Sequence, residues 1–173
     1  DKVIIVWSGS SSGYKFFEQG GLLNALYHLL KLGSLTLRII SDKPPPFLLS
    51  NTEFIQWSVE NEVKYMNECD IGLMPLTDDE FARGKCSYKM LTYMSCALPV
   101  IVSPVGMNND VLALGNLGFA AKNSEDWFDK INYLVNNYEE RVFMGLVGRQ
   151  VIEQNFSLLK VVEQIKSVIV KVI

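Results

Sequence analysis

The sequence predicts an α/β fold, in which a doubly wound parallel sheet of about six strands carries helices on both faces. Short apolar runs rich in β-branched residues, typical of buried strands, recur at intervals of about 20–30 residues. Stretches with helical periodicity lie between these runs. Strands that alternate with helices form right-handed βαβ units, and such units build a parallel sheet.

The composition is that of one ordinary globular domain. The 173 residues can bury a substantial core, and 49% of them are hydrophobic while 20% are charged. The net charge is −3, from 16 basic and 19 acidic residues, which argues against a general nucleic-acid-binding protein. No apolar run approaches the roughly 20 residues that a membrane-spanning helix needs. The chain begins with Asp1 rather than Met, so we expect a piece of a longer protein.

Three cysteines, Cys69, Cys86 and Cys96, are widely spaced, and His28 is the one histidine. This spacing lacks the close pairs that metal sites and disulfide frameworks show. We therefore expect no metal site built on cysteine and histidine, no disulfide and a reducing compartment.

The first predicted strand, residues 3–7, is continuously apolar and β-branched, as suits a central strand buried on both faces. A loop of small residues, 8–13, follows it. Residues 14–31 carry apolar side chains at helical spacing and predict one long helix. Gly20 and Gly21 lie near its first turns and predict either a kink or a later start of the helix.

The middle of the chain predicts three further strands. Residues 35–40 are strongly apolar, and the proline run at 44–46 then excludes both helix and sheet. Residues 77–83 predict a charged loop of the kind that can close over a ligand. Between the prolines and that loop we predict a strand, a helix and a strand, at residues 53–57, 59–69 and 70–76.

Residues 84–106 predict a polar loop, a helix and a fifth strand. Within the loop, Ser87 is the best candidate for the N-cap of the helix. The helix spans residues 88–96, and its inward face carries Met90, Leu91, Met94 and Ala97. Residues 99–102 form the strand. Beyond this stretch we predict a sixth strand at 118–121 and helices at 108–114, 124–137, 139–154 and 157–172.

Polar residues follow most of the predicted strands, and the carboxyl ends of parallel strands lie at one edge of a sheet. Ligands of doubly wound sheets bind at this edge, where the strand order reverses. Lys85 and Lys89 flank the start of the helix at 88–96, where free N–H groups and the positive end of the helix dipole favour an anion. We therefore predict a phosphate-bearing ligand there.

Several residues at this edge have two interpretations. Lys15 lies one turn past the Gly/Ser loop and either pairs with a phosphate or is a solvated lysine. Lys89 lies in the first turn of a helix, where the dipole disfavours a cation, and this placement favours an anionic ligand. Trp57 either stacks on a base or packs in the core. The carboxylates of residues 78–80 either hold a metal ion or are solvated.

No constellation of nucleophile, base and acid stands out, so the sequence predicts binding chemistry and leaves the catalytic residues unassigned. His28 lies in the middle of a helix, away from the predicted site.

Residues 83–106, RGKCSYKMLTYMSCALPVIVSPVG, resemble the donor-site region of group 1 glycosyltransferases of the GT-B fold. The WSGS run at residues 7–10, followed by Lys15, is similar to their opening loop. Residues 54–57 and 70–76 resemble their middle strands in order and spacing, and residues 152–157 their closing segment. The resemblance covers essentially the whole chain.

This resemblance implies the Rossmann-like C-terminal half of a two-domain enzyme, the half that holds a nucleotide-diphosphate sugar. The residues implied for the diphosphate are Ser8, Gly9, Ser10, Lys15, Lys85, Ser87, Tyr88 and Lys89. The residues implied near the nucleoside are Asp42, Gln56, Trp57, Ser58 and Thr92. Family members transfer the sugar with retention and without a metal ion or other cofactor, so none is expected here.

The resemblance also implies partners. The acceptor, a glycan or a lipid-linked glycan, is expected to bind through a missing N-terminal half, and neither nucleic acid nor a transmembrane segment is expected. The isolated chain is therefore expected to have little or no transferase activity. We expect a cytoplasmic protein, with attachment to the inner membrane face through the missing half as an alternative.

The sequence departs from the family in one respect. The family often carries two glutamates in an E-x7-E pattern, and Gly84 and Thr92 occupy those positions here. A threonine retains one hydroxyl for hydrogen bonding but loses a charge-assisted bond. Two alternatives to a transferase stay open: a nucleotide-sugar 2-epimerase on the same fold, which would need carboxylates and a histidine at the sugar, and a non-catalytic nucleotide-sugar-binding domain, which the missing glutamates favour.

Overall fold

The structure of the protein is a computed structural model that describes residues 2–172; Asp1 and Ile173 lie outside it. Within the described residues, six parallel strands form one sheet in the order β3-β2-β1-β4-β5-β6. The strands are β1 Val3–Ser8, β2 Leu35–Ser41, β3 Thr52–Gln56, β4 Ile71–Met74, β5 Val100–Val102 and β6 Gly118–Ala120. This is the predicted doubly wound sheet.

The strand order reverses at β1, which pairs with β2 on one side and with β4 on the other. Ile5 is in register with Leu37 of β2 and with Ile71 of β4. The chain builds outward from β1 through β2 to β3, and then returns to add β4, β5 and β6 on the other side. The crevice beyond the carboxyl ends of β1 and β4 is therefore the position where ligands bind in such sheets.

Helices cover both faces of the sheet. Their bounds are α1 Lys15–Gln19, α2 Leu22–Lys31, α3 Val59–Met66, α4 Glu80–Arg83, α5 Tyr88–Ser95, α6 Met107–Leu112, α7 Ser124–Asn136, α8 Tyr138–Val151 and α9 Leu158–Val172. A short 3-10 turn at Ser11–Gly13 precedes α1, and a π-helical segment at Ile152–Phe156 continues α8.

Alternation along the strands divides the apolar side chains between two cores. Ile5 and Trp7 of β1 point to the core that α2 and α7 cover. Val6 points to the opposite core, which includes Met90 and Tyr93 of α5. The predicted helices on both faces are thereby confirmed.

Two local predictions differ from the structure. The helix predicted at 14–31 is two helices, because Gly21 adopts a left-handed conformation (φ 78°) that ends the first and precedes the second. The loop predicted at 77–83 contains a short helix, α4, whose N-cap is Asp79. The Asp79 side chain accepts the Ala82 N–H at 2.8 Å and so satisfies a free donor of the first turn.

The last helix, α9, forms as predicted, but its side chains are exposed along residues 158–170. Leu158 is 78% exposed and Ile165 is 54% exposed. Among the described residues, no helix combines the length and the apolar character that crossing a bilayer requires.

Candidate functional site

A cavity of about 630 Å³ opens beyond the carboxyl ends of β1 and β4, at the reversal of strand order. It is lined by Ser8, Gly9, Ser10, Asp42, Trp57, Glu62, Met74, Gly84, Lys85, Cys86, Tyr88 and Lys89. Eight of the predicted site residues therefore line one cavity: Ser8, Gly9, Ser10, Asp42, Trp57, Lys85, Tyr88 and Lys89.

Lys89 lies across the turn that follows β1. Its Nζ is 5.6 Å from the centre of the Trp7 ring, and its aliphatic stem fills the space that a side chain on Gly9 would need. Burial, followed by the positive charge of Lys85, lowers the pKa of Lys89, and the carboxylate of Glu62 opposes this shift. The cation at this position is thus incompletely neutralised by the protein.

Lys85 is the second cation of the cavity. Its Nζ lies 4.4 Å from the centre of the Phe16 ring and 5.2 Å from that of Phe81. Burial lowers the pKa of Lys85; the charge of Asp79 opposes this effect, and that of Lys15 adds to it. Two partly desolvated ammonium groups therefore face one cavity, an arrangement that favours an anion.

The start of α5 adds backbone donors to these cations. The first helical hydrogen bond joins the Leu91 N–H to the Ser87 carbonyl at 3.0 Å. The N–H groups of residues 88–90 therefore have no partner within the helix. Ser87 has a left-handed backbone (φ 53°, ψ 24°) directly before the right-handed helix, and such a junction forms a concave set of N–H groups that binds anions.

The predicted role of Ser87 as a side-chain N-cap is wrong. Its Oγ donates to Oδ1 of Asn108 at 2.6 Å, and the Asn108 Nδ2 donates to the Ser103 carbonyl at 2.9 Å. Ser87 and Asn108 are both buried, so this pair ties the start of α5 to the segment that follows β5. If Ser87 contacts an anion in the cavity, it therefore does so through its backbone.

The loop after β1 is held in place by hydrogen bonds to neighbouring segments. The Ser8 N–H donates to the Tyr93 hydroxyl at 2.9 Å, and the Gly9 N–H donates to the Ile40 carbonyl at 3.0 Å. The Ser11 N–H and Oγ both donate to the Asp42 carboxylate. These bonds, the backbone bond first, lower the pKa of Asp42. The N–H groups of Ser8 and Gly9 are therefore already paired, and the loop is in this respect a tight βα turn.

Trp57 forms the wall of the cavity beyond β3. It is 44% exposed, whereas Trp7 and Trp127 are buried. The alternative of core packing for Trp57 is therefore wrong. An exposed indole on a cavity wall can stack on a planar ring.

Five predicted residues do not line the cavity: Lys15, Gln56, Ser58, Ser87 and Thr92. The Ser58 Oγ caps α3 by accepting the Asn61 N–H at 3.1 Å. The Gln56 Nε2 donates to the Asp42 carbonyl at 3.3 Å, and the Thr92 hydroxyl donates to the Tyr88 carbonyl at 2.9 Å. Each of these three side chains therefore already makes a hydrogen bond within the protein.

Lys15 is exposed at the start of α1, with its Nζ 5.2 Å from the centre of the Phe16 ring. Its charge acts on Asp79 and on Lys85. Lys15 therefore adds positive potential next to the cavity without lining it.

Two of the three carboxylates of residues 78–80 are engaged within the protein. Asp78 pairs with Arg83 at 2.7 Å, and Asp79 caps α4. Within residues 2–172, no group of three His, Cys, Asp or Glu side chains is placed to hold a metal ion. His28 lies exposed on α2 and does not line the cavity.

Sequence reasoning assigned no role to Glu62, Met74 or Cys86, which also line the cavity. Glu62 is the chemically important omission, since its Oε1 accepts a hydrogen bond from the Ser8 Oγ at 2.6 Å. One signal could have identified it. Glu62 lies in the first turns of a helix that follows a strand of the parallel sheet, and such turns begin at the ligand-binding edge.

Comparison with known proteins identifies a family profile. The profile described as "Glycosyl transferases group 1" matches residues 3–137, which is most of the chain. No protein of curated function matches the sequence.

Several solved structures share the fold. Alr3699/HepE from Anabaena, solved in complex with UDP-glucose, has a TM-score of 0.73 at 14% identity, over 99% of this chain and 49% of that one. Sucrose-phosphate synthase from Thermosynechococcus elongatus has a TM-score of 0.71 at 13% identity, over 99% of this chain and 46% of that one. At these identities the likeness establishes the fold alone.

A third similar structure is itself a single domain. The C-terminal domain of the glycosyl transferase group 1 family protein LpcC from Francisella tularensis has a TM-score of 0.65 at 16% identity, over 91% of this chain and 87% of that domain. By contrast, this chain spans less than half of sucrose-phosphate synthase and of HepE.

Proposed function

The chain belongs to the group 1 glycosyl transferases, and on that basis we propose that it is the donor-binding half of such an enzyme. In this proposal the cavity beyond β1 and β4 binds a nucleotide-diphosphate sugar. The sugar is transferred to a glycan or a lipid-linked acceptor. The observation that carries the proposal is the convergence of Lys85, Lys89 and the first N–H groups of α5 on this cavity.

The diphosphate is the part of the donor that these groups fit. Two cations with lowered pKa values and a concave set of N–H groups together complement a doubly charged anion. When the bond between the sugar and the diphosphate breaks, negative charge grows on the departing diphosphate. Cations and dipoles already in place would stabilise that charge without a metal ion.

The nucleoside is placed toward Trp57 in this proposal. The exposed indole offers a stacking surface for a base, and Trp57 follows β3, two strands away from β1. A base stacked on Trp57 would allow the diphosphate to extend to the start of α5. HepE, which was solved with UDP-glucose, has the same fold, and this supports a nucleotide sugar as the class of ligand.

The acceptor side of the reaction belongs to a part of the enzyme that this chain lacks. Because the chain spans less than half of HepE and of sucrose-phosphate synthase, we propose that an N-terminal half completes the cleft in a longer protein. We expect the isolated chain to bind the donor and to transfer little or no sugar. Retention of the anomeric configuration and a cytoplasmic site of reaction are parts of this proposal, drawn from the family resemblance and the unpaired cysteines.

A second candidate is a domain that binds a nucleotide sugar without transferring it. Gly84 lines the cavity at a position where the family often has a glutamate, and Thr92, at the second such position, does not line it and donates to the Tyr88 carbonyl. An assay of a longer protein that carries this domain distinguishes the two candidates. With donor and acceptor both present, a transferase releases UDP or GDP, whereas a binding domain does not. The epimerase alternative has no support in the site, because His28 lies outside the cavity.

Calorimetric titration of the chain with UDP and with GDP tests the proposal. We expect binding in the micromolar to millimolar range, and Lys89→Ala should weaken it about tenfold because a charge-assisted hydrogen bond is lost. Lys31→Ala is the matched control, since Lys31 ends α2 and its Nζ lies over the Tyr27 ring. Absence of binding of both nucleotides at millimolar concentration, or an unchanged affinity in Lys89→Ala, would contradict the proposal.

A further inference from the structure

Glu62 is the one carboxylate besides Asp42 among the described residues that line the cavity. It projects from α3, and its Oε1 accepts a hydrogen bond from the Ser8 Oγ at 2.6 Å. Its charge also acts on Lys89. Asp42 is already engaged by both the N–H and the Oγ of Ser11, whereas the second oxygen of Glu62 has no hydrogen-bond donor among residues 2–172.

The strand order fixes where Glu62 lies along the cavity. Trp57 follows β3 at one end, and Lys89 belongs to α5, which packs on β4 and β5. Ser8, the partner of Glu62, ends β1, which lies between β3 and β4 in the sheet. Glu62 is therefore located between the indole and the cations.

The chemistry of a carboxylate restricts what it can bind here. An ionised carboxylate only accepts hydrogen bonds, and it repels phosphate oxygens. It is complementary to hydroxyl groups. In a nucleoside diphosphate, the group between the base and the diphosphate is the ribose, whose hydroxyls are donors.

We infer that Glu62 binds the ribose hydroxyls of the nucleotide and thereby selects ribonucleotides. This inference rests on the proposed function, because it requires a nucleotide in the cavity. It assigns the ribose contact to α3. The neighbouring candidate on α5, Thr92, is occupied with the Tyr88 carbonyl.

A purely structural role is the competing explanation, in which Glu62 only holds Ser8 in position. Glu62→Gln separates the two roles, since the amide oxygen still accepts the Ser8 hydroxyl while the charge is lost. Glu60→Gln is the matched control: it removes the same charge from the first turn of the same helix, and Glu60 does not line the cavity.

The test measures the affinities of UDP and GDP by NMR titration, and then that of the 2′,3′-dideoxy form of whichever binds more tightly. We expect Glu62→Gln to weaken the ribonucleotide about tenfold and the dideoxynucleotide less than about twofold. Glu60→Gln should change neither affinity. If Glu62→Gln does not fold, Glu62→Asp serves instead, since it keeps the charge and should weaken the ribonucleotide selectively through its shorter reach.

The outcomes separate the two claims. An equal loss for the ribonucleotide and the dideoxynucleotide, or no loss for either, would overturn the ribose contact and leave the proposed function intact. If the parent chain binds neither UDP nor GDP, the proposed function is overturned, and the ribose contact with it.

Discussion

Lys89 occupies the space next to Gly9 that a side chain would need. A Cβ built on Gly9 would stand 2.4 Å from Cε and 3.0 Å from Nζ of Lys89. A side chain at this position would displace the end of the Lys89 side chain, so the glycine lets an ammonium group from α5 lie against the turn after β1. The two halves of the candidate diphosphate site, one from each side of the strand reversal, meet at this contact.

We predict that Gly9→Ala weakens nucleotide binding about tenfold by displacing the Lys89 ammonium, which costs one charge-assisted hydrogen bond. The new methyl group would also stand 3.0 Å from Cζ2 of Trp7, so we expect a modest loss of stability as well. The measurement is a double-mutant cycle with Lys89→Ala. Gly9→Ala should have little further effect on affinity once the lysine side chain is gone. Additive losses would contradict the prediction.

The lowered pKa values predict how nucleotide binding depends on pH. Burial lowers the pKa values of Lys85 and Lys89 from 10.5, whereas a bound diphosphate favours their charged forms and raises them again. The nucleotide complex therefore binds more protons than the free protein. As the pH rises through the lowered pKa values of the two lysines, which lie below 10.5, the affinity for the nucleotide falls. Measuring the affinity for UDP from pH 7 to about pH 10 tests this prediction. In Lys89→Ala the affinity should depend less steeply on pH. An affinity independent of pH over this range would contradict it.

Trp57 should dominate the contact with the base. We predict that Trp57→Ala weakens nucleotide binding by about 1–3 kcal/mol, the usual worth of a stacked base, with little effect on stability because the ring is exposed. Phe143→Ala is the matched control, since Phe143 is an exposed aromatic residue on α8 that does not line the cavity.

Tryptophan fluorescence offers an independent measurement of the contact with Trp57. Because Trp57 is the most exposed of the three tryptophans, quenching of the fluorescence by the ligand should disappear in Trp57→Phe. Quenching that persists would contradict the assignment.

Tyr93 links the core to the site. Its ring packs against Gly72, where a Cβ would stand 2.4 Å from the ring, and its hydroxyl accepts the buried Ser8 N–H. We predict that Tyr93→Phe lowers the free energy of unfolding by about 1–3 kcal/mol, because that N–H loses its acceptor. Chemical denaturation measures this loss. An unchanged unfolding midpoint would show that the Ser8 N–H finds another partner.

The general architecture was predictable from the sequence for a physical reason. Continuous β-branched runs such as residues 3–7 and amphipathic stretches such as residues 124–136 specify their own secondary structure. Parallel strands also bring their carboxyl ends to one edge, so the joint location of the Gly/Ser loop and Lys89 followed from topology.

The details of the site depended on contacts between distant segments. The hydroxyl of Ser87 is turned away from its own helix by Asn108, which lies 21 residues later in the chain. The position of Glu62 depends on its hydrogen bond with Ser8, which lies 54 residues earlier in the chain, and no local pattern encodes this contact. The break at Gly20 and Gly21 was visible as a glycine pair, but only the structure resolves it as a new helix start.

The central claim is that Lys85, Lys89 and the start of α5 form the binding site for a nucleoside diphosphate. The most direct measurement maps the amide chemical shifts of the isotope-labelled chain during titration with UDP and with GDP. We predict that the largest changes occur at Gly9, at residues 84–90 and at the indole N–H of Trp57. No shift with either nucleotide, or shifts confined to residues away from the cavity, would contradict the account.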